Sequence, residues 1–180
     1  MENQAVYDAL IQKYRAHFGH DPEVVSYAPG RIEVLGNHTD YNQGLVLALA
    51  VDKFIWIAAS PRTDGRIELV SSAFPEKDSF SAGNLAKNPA APWTNYVKGV
   101  LEQLGRHQVH FGGFSAAIHS TLPLGAGMSS SAALEVATAL AVRKLYPYQL
   151  TATASTTPPA RAANGEPPPP SPAERLEIAK

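Results

Sequence analysis

Apolar residues recur along this chain with two different spacings, and the spacing separates the predicted helices from the predicted strands. Apolar side chains at intervals of three and four residues predict helices over residues 4–18, 94–104 and 129–146. A glycine or a proline follows each of the three segments, and these residues commonly end a helix. Of the three, the segment 129–146 is the clearest prediction.

Six short runs rich in β-branched and apolar residues predict strands. They are residues 23–28, 32–35, 45–51, 54–59, 66–71 and 113–121. Pro29-Gly30 is predicted to stop the first of these runs. A turn at Asp64-Gly65 predicts a hairpin between the fourth run and the fifth. Residues 72–92 are mixed in composition and are predicted to form a loop.

Proline is concentrated towards one end of the chain. Seven of the 15 prolines lie within residues 151–172, where Val, Ile, Leu, Met, Phe, Trp and Tyr are all missing. Such a stretch has too few apolar side chains to build a core. We therefore predict one globular domain over residues 1–147, a disordered segment rich in Pro, Ala and Thr over residues 148–172, and the start of a truncated helix over residues 173–180.

Charge and missing residue types exclude several classes of protein. The chain has 15 Lys and Arg against 16 Asp and Glu, and its basic residues are scattered, which argues against binding to nucleic acid. It has no cysteine, so a disulfide framework and a thiolate site are excluded. No apolar run approaches the ~20 residues that cross a membrane, and no secretory signal is visible. We expect a cytoplasmic protein.

The segment Pro123–Ala133 (PLGAGMSSSAA) lies between a predicted strand and a predicted helix. Gly125 and Gly127 allow the backbone to turn tightly and to approach a ligand closely. The next residues are Ser129, Ser130 and Ser131. They open a helix, whose N–H groups and dipole favour a phosphate. No Lys follows and the third glycine is missing, so this is neither a Walker A loop nor a GxGxxG fingerprint. A glycine turn with serine caps explains the segment equally well.

A second segment, residues 37–42 (NHTDYN), has an unusual density of short hydrogen-bonding side chains. Asn37, His38 and Asp40 can donate and accept the hydrogen bonds that a polyhydroxylated ligand requires. Arg31 precedes them and suits a carboxylate or a phosphate. A connection rich in Asx turns, without any ligand, accounts for these residues equally well.

Taken together, the two segments resemble a known family. Gly30–Asn42 (GRIEVLGNHTDYN) resembles the galactokinase signature, and Pro123–Ala133 resembles the ATP-binding motif of the GHMP kinase superfamily. Between them, Pro92–Val100 (PWTNYVKGV) is similar to a further galactokinase segment. The resemblance runs from about Ser26 to Ala141, nearly two-thirds of the chain.

The resemblance implies both a fold and a reaction. The fold is that of a GHMP kinase N-terminal domain: α+β, with a mixed sheet and helices packed on one side, and here without the C-terminal GHMP domain. The reaction is ATP-dependent phosphorylation of galactose at its anomeric hydroxyl, which gives galactose 1-phosphate. The expected ligands are therefore galactose, ATP and Mg²⁺, and the expected state is a monomer.

The resemblance also assigns residues. His38 and Asp40 would bind sugar hydroxyls, as would Asn37, and Arg31 would lie beside the reacting hydroxyl. Trp93 and Tyr96 would lie near the adenine. The nucleotide phosphates would be held by Gly125, Gly127, Ser129, Ser130 and Ser131, with Ser130 or Ser131 near Mg²⁺. Phosphoryl transfer needs mainly positioning and charge neutralisation, which an Arg, a metal and a helix N-terminus supply.

Two departures from the family pattern leave alternatives open. Many galactokinases have Glu at the position of Asn37, which concerns the choice of sugar. The family's catalytic Asp, its third Gly-rich motif and its C-terminal domain have no counterpart in the sequence. The alternatives are a non-catalytic module that binds galactose and ATP, or a GHMP kinase for a related sugar.

A few further residues are predicted to have no functional role. The pairs His17/His20 and His107/His110 have a spacing that a metal could use, but no further ligand lies nearby in the sequence, so surface positions are predicted. Trp56 is predicted to lie in the core. Lys53 and Lys98 are predicted to be solvated.

Overall fold

A computed structural model describes residues 2–36, 45–123 and 125–149. Three helices and five strands alternate irregularly within these residues. In chain order they are α1 (Glu2–Phe18), β1 (Val24–Leu35), β2 (Leu47–Arg62), β3 (Arg66–Ser71), β4 (Asp78–Ser81), α2 (Thr94–Arg106), β5 (Gly113–Ser120) and α3 (Ser130–Leu145). None of these helices is long and apolar enough to span a bilayer.

The five strands form one mixed sheet in the order β1-β2-β5-β3-β4. β3 runs parallel to β5, and the other neighbours are antiparallel. The predicted hairpin at Asp64-Gly65 is wrong, because β5 lies between β2 and β3. Six successive residues of β5, from Gly113, are buried, and a strand buried on both faces requires a neighbour on each side. A Cβ on Gly113 would lie 2.4 Å from the Arg66 carbonyl oxygen, so the contact is close.

Helices cover both faces of the sheet, so the expectation of helices on one side is wrong. On one face Ile55, Ile57 and Leu69 pack with residues of α2 and α3 in the larger core cluster. On the other face Trp56 and Val70 pack against Leu10 and Tyr14 of α1. α1 is therefore a third layer, and Trp56 is a core residue as predicted.

Two strands are longer than predicted, and one was not predicted. β1 continues through Pro29-Gly30, where the register with β2 shifts. An irregularity of this kind tolerates a proline, which cannot donate to the ladder. β2 continues through Asp52-Lys53 as one strand. Within the predicted loop 72–92, the four residues of β4 pair with β3.

Lys98 is buried, which contradicts its prediction as a solvated residue. Its Nζ lies 2.8 Å from an Asp78 carboxylate oxygen, donates to the Ala86 carbonyl at 2.9 Å and lies 4.4 Å from the centre of the Phe80 ring. Thr94 donates to the same carboxylate at 2.7 Å. Burial acts to raise the pKa of Asp78, but the hydrogen bonds to its carboxylate outweigh it and hold that pKa below its usual value.

The histidines were predicted to lie at the surface. His20, His107 and His110 are exposed, whereas His17 is half-buried with its Nε2 3.0 Å from a Glu68 carboxylate oxygen. Within the described ranges no group of three or more His, Cys, Asp or Glu side chains is placed to hold a metal ion.

Candidate functional site

β1 and the glycine-rich segment before α3 are in direct contact. The Arg31 N–H donates to the Met128 carbonyl at 3.0 Å. A Cβ on Gly30 would lie 2.3 Å from the Leu122 Cδ2 and 2.8 Å from that Met128 oxygen. Only a residue without a side chain fits this approach. The two segments that the sequence analysis singled out, almost 100 positions apart, thus meet at Gly30.

The backbone between Gly125 and Ser129 turns sharply into α3. Gly125 and Gly127 have φ values of +72° and +68°, in the region that favours glycine. Ser129 also has a positive φ of 55°, although it carries a side chain. Such a conformation in a residue other than glycine costs about 1 kcal/mol or more and persists where the surrounding structure requires it. This strain marks the entry to α3 as a shaped loop.

The first turn of α3 is open to a ligand. The Ser129 carbonyl accepts the first helical hydrogen bond, from Ala133, but its side chain does not cap the helix. No acidic residue occupies the first turn. Ser129, Ser130 and Ser131 are all partly exposed. The orphan N–H groups and the positive end of the helix dipole therefore face accessible space, which suits an anion.

Arg31 lies at the border of this site. Its guanidinium contacts the Glu33 carboxylate at 3.4 Å, and the side chain is about half exposed. Because Arg31 pairs with Ala50 and side chains alternate along a strand, its side chain lies on the opposite face of the sheet from Ile32. Its N–H is fixed by the loop, and its charged end remains accessible to a ligand.

The predicted sugar-binding residues Asn37, His38 and Asp40 lie outside the described residues. The positions that flank them are described. Gly36 has a φ of +98°, and a Cβ on it would lie 2.6 Å from the Leu45 carbonyl oxygen. Gly36 and Leu45, the described residues on either side of the segment, therefore lie next to each other at the end of the β1–β2 pair.

The two predicted adenine contacts have different environments. Tyr96, in the first turn of α2, is 46% exposed. Trp93 is only 8% exposed and stacks on Phe74 with 6.2 Å between ring centres. Its indole N–H has no hydrogen-bond partner within the described structure. Trp93 is therefore mainly a core residue, and its unpaired indole N–H is itself buried.

Sequence reasoning missed the anchoring of α2 beside these aromatic residues. The ion pair of Lys98 and Asp78, together with Thr94, ties the first turns of α2 to β4. The two partners are 20 positions apart on elements of different type, so no local pattern reveals the pair. The role of Gly30 could have been recognised from the sequence, because Gly30 is the one glycine within β1.

Two family models match the chain. The galactokinase galactose-binding signature matches residues 12–61, and the N-terminal domain of GHMP kinases matches residues 95–162. Galactokinase from Homo sapiens is 41% identical over 141 residues, which are 74% of this chain and 36% of that protein. The chain belongs to the galactokinase family. Galactokinase from Chloroflexus aurantiacus is 38% identical over 128 residues, covering 71% of this chain and 33% of that protein.

Solved structures agree with this membership and with the fold. Lactococcus lactis galactokinase, whose crystal structure was determined in complex with galactose, superposes with a TM-score of 0.74 at 32% identity and covers 81% of this chain. Methanococcus jannaschii mevalonate kinase shares the fold, with a TM-score of 0.58 at 18% identity over 71% of the chain. The predicted GHMP kinase N-terminal fold with a mixed sheet is confirmed. This galactokinase-family chain spans about a third of the length of the curated relatives.

Proposed function

We propose that this chain forms the sugar- and nucleotide-binding part of a galactokinase-type kinase. The reaction is transfer of the terminal phosphoryl group of ATP to the anomeric hydroxyl of galactose, giving galactose 1-phosphate. One observation carries the proposal: the Gly30–Arg31 backbone contacts Leu122 and Met128, which supports a site shared by the galactose-binding signature and the serine-rich helix entry.

The nucleotide phosphates are assigned to the entry of α3. Two glycines with positive φ, which carry no Cβ, let the backbone approach a ligand closely. The open first turn of α3 offers N–H donors to phosphate oxygens. The residues in this role are Gly125, Gly127, Ser129, Ser130 and Ser131. Tyr96 offers an exposed ring for the adenine, whereas Trp93, which we also assign to the adenine side, is buried with its indole N–H unpaired. This observed donor set fits a nucleotide.

Mg²⁺ fits only in combination with the nucleotide. The described residues offer no cluster of three candidate ligands, so a metal would depend on phosphate oxygens. The hydroxyl of Ser130 or Ser131 would add a protein ligand, as Mg²⁺ usually keeps few protein groups when it binds phosphates. The metal would neutralise charge on the transferred group.

Arg31 and the polar segment are assigned to the sugar side. Arg31 is cationic and accessible, so it can stabilise charge that develops on the transferred phosphoryl group. The side chains of Asn37, His38 and Asp40 would bind the sugar hydroxyls. Asn37 retains hydrogen-bonding reach without charge, which leaves the choice of sugar to experiment.

The test is titration of galactose into the chain by calorimetry. Asp40→Ala is expected to abolish detectable binding, because it removes an acceptor for sugar hydroxyls. Asp8→Ala is the matched control, since Asp8 lies on the exposed surface of α1, and it should leave the affinity unchanged. Equal affinities of wild type and Asp40→Ala would remove the sugar site from the proposal.

A second candidate is a non-catalytic module that binds galactose and ATP. The observations that support ligand binding, the positive-φ backbone before α3 and the open first turn of that helix, do not depend on turnover. ADP release that depends on both galactose and ATP distinguishes the two. Turnover above that of a Ser130→Ala/Arg31→Ala variant favours the kinase, and turnover equal to it favours the module. A panel of related sugars then tests specificity.

The predicted boundaries at residues 147 and 172, the monomeric state and the cytoplasmic location all stay predictions. Sedimentation of the purified chain measures its mass in solution. Limited proteolysis followed by mass spectrometry locates the boundaries, because cleavage concentrates in exposed, weakly packed segments.

A further inference from the structure

A cavity lies between α1 and the segment that connects β3 to β4. Its volume is about 250 Å³, and its lining comes from α1 near its C-terminal end, from the end of β3 and from residues 74–77. β4 pairs with β3 only as far as Leu69, so Val70 and Ser71 have no paired residue on the side of β4. The cavity therefore lies where the pairing of the sheet ends and the chain loops out before β4 begins.

Part of the cavity wall is apolar and fixed by the core. The apolar lining residues are Ala16 of α1, Val70 of β3, and Phe74 and Pro75 of the connecting segment. Val70 is 3% exposed and belongs to the core cluster beneath α1. Phe74 is partly buried against the larger core cluster and stacks on Trp93. A ligand with an apolar body can therefore contact residues that the fold already holds in place.

The rest of the wall carries nitrogen groups. Lys13, His17 and Lys77 all line the cavity, and the Lys77 Nζ lies 3.3 Å from the His17 Nδ1. Because an ammonium group can only donate, Nδ1 of the neutral ring accepts from Lys77, and Nε2 donates to the Glu68 carboxylate at 3.0 Å. This pair of hydrogen bonds through the imidazole holds the Lys77 ammonium group beside the cavity.

The two ammonium charges at the cavity have no carboxylate partners. Within the described part of the chain, neither Lys13 nor Lys77 forms an ion pair with an acidic side chain. Glu68 is itself paired with Arg62 at 3.2 Å, so an arginine already balances its charge. Burial lowers the pKa of His119, and the positive charge of Lys13 lowers it further. Two unpaired cations beside an apolar wall favour an anion in the cavity.

These two properties of the wall together indicate the class of ligand. A phosphate monoester carries about −1.5 to −2 charges at neutral pH, which matches two ammonium groups. Lysines bind phosphate as point charges and do not require the planar geometry of a guanidinium. An apolar wall favours an aliphatic or aromatic body over a polyhydroxylated one, because contact with it removes apolar surface from water.

We propose that this cavity binds a small organic phosphate with an apolar body. The site is separate from the candidate site described above, because none of its lining residues lies in β1 or in the segment that precedes α3. Lys13 and Lys77 bind the phosphate oxygens, while Val70 and Phe74 contact the body of the ligand. The inference does not depend on the proposed kinase activity.

The experiment is an NMR titration of phenyl phosphate into the complete 180-residue chain, without galactose or nucleotide. Amide shifts of residues 13–17 and 70–77 are expected to change, whereas those of residues 125–131 stay unchanged. Inorganic phosphate has the charge without the apolar body, and benzyl alcohol has an apolar body without the charge. Each is expected to bind at least about tenfold more weakly than phenyl phosphate, because it retains only one kind of contact.

Charge-removing variants test the two lysines. Lys13→Gln and Lys77→Gln should each weaken the binding of phenyl phosphate about fivefold or more, because each removes one cation from the wall. Lys87→Gln is the matched control, since Lys87 is exposed and does not line the cavity. The same change of net charge at Lys87 should alter the affinity by less than about twofold, because a distant exposed charge is largely screened.

Several results would overturn the proposal. Shift changes confined to residues 125–131 would place phenyl phosphate at the entry to α3 instead. Equal affinities of Lys77→Gln and Lys87→Gln would show that the cavity does not hold the phosphate. Inorganic phosphate that binds as tightly as phenyl phosphate would contradict the ligand class, and undetectable binding of phenyl phosphate at millimolar concentration would remove the site. Galactose and nucleotide are absent throughout, so failure of the kinase proposal leaves these results unaffected.

Discussion

The two halves of the β1–β2 pair have the same pattern of residues and opposite surroundings. In the first half Ile55 and Ile57 are buried under α2 and α3, whereas in the second half Leu47 and Leu49 are about half exposed. The register of the two strands shifts between the halves, next to Gly30. Strand alternation therefore fixes which side chains share a face, but it does not fix whether that face is covered. The candidate site lies where coverage ends.

The largest expected effect comes from loosening α2, one of the two helices that cover the first half of the pair. Asp78→Asn leaves the Lys98 charge buried without its ion-pair partner, and loss of one member of such a pair costs about 3–5 kcal/mol. Urea denaturation should show this loss, whereas Glu102→Gln, which breaks the exposed pair with Arg106, should change stability by less than about 1 kcal/mol. Similar losses in both variants would contradict the anchoring role of the buried pair.

The same carboxylate predicts a pH dependence. The pKa of Asp78 is lower in the folded chain than in the unfolded chain, where the usual value is about 3.9. Its stabilising contribution is therefore fully present above the unfolded value and is lost as pH falls through the folded value. Thermal unfolding between neutral and acidic pH should show a smaller acid loss in Asp78→Asn than in wild type. Parallel curves for the two proteins would argue against this assignment.

Matched truncations compare the two halves directly. Ile57→Ala creates a cavity in the core and should cost about 3 kcal/mol. Leu49→Ala removes an exposed side chain and should cost about 0.5 kcal/mol or less in the chain alone. A cost at Leu49 approaching that at Ile57 would mean that the apolar face around Leu47 and Leu49 is already covered in solution, and sedimentation would then show whether a second copy covers it.

Gly30→Ala tests the junction between the halves. The Leu122 side chain can move away from an added Cβ, but the Met128 carbonyl, at 2.8 Å, can shift only with the loop backbone. Overpacking of this kind costs about 1–3 kcal/mol. Nucleotide binding should weaken together with stability, because the same loop opens α3. A stable variant with unchanged MgATP affinity would show that the loop is not held at this contact.

The last prediction concerns the loop itself, where a modest cost in stability is expected. Gly127→Ala places a side chain at a φ of +68°, which costs about 1 kcal/mol, and it should reduce MgATP affinity about fivefold or more. Gly105→Ala is the matched control, because a Cβ there would have nothing within 4 Å. Equal MgATP affinities of the two variants would remove the positive-φ loop from the nucleotide site.

Local patterns were sufficient for some parts of the molecule and insufficient for others. The three helices follow from apolar spacing and from the glycines and proline that follow them. The hairpin at Asp64-Gly65 failed because β5, whose first residue Gly113 is almost 50 positions further along the chain, lies between the two strands. The prediction that Lys98 is solvated was wrong because the sequence does not show that Asp78, on β4, lies beside it. Long-range pairing decides both cases.

In the candidate site, too, local features could be predicted from the sequence and long-range contacts could not. The glycine and serine residues before α3 could be identified from the sequence, since their chemistry is local. That they meet β1 at Gly30 depends on the contacts of Leu122 and Met128 with β1, which no local pattern reveals. The uncovered face beyond Gly30 was likewise invisible, because Leu47 and Leu49 have the composition of a buried strand.

The central claim is that the sugar and the phosphates of the nucleotide bind at one site. Mn²⁺ in place of Mg²⁺ makes the nucleotide complex paramagnetic, so galactose proton signals can report the distance to it. With the chain present, MnATP is predicted to broaden the anomeric proton of galactose more than the other ring protons, and excess MgATP should reverse the effect. Galactose that binds while its signals stay sharp in MnATP would contradict the account.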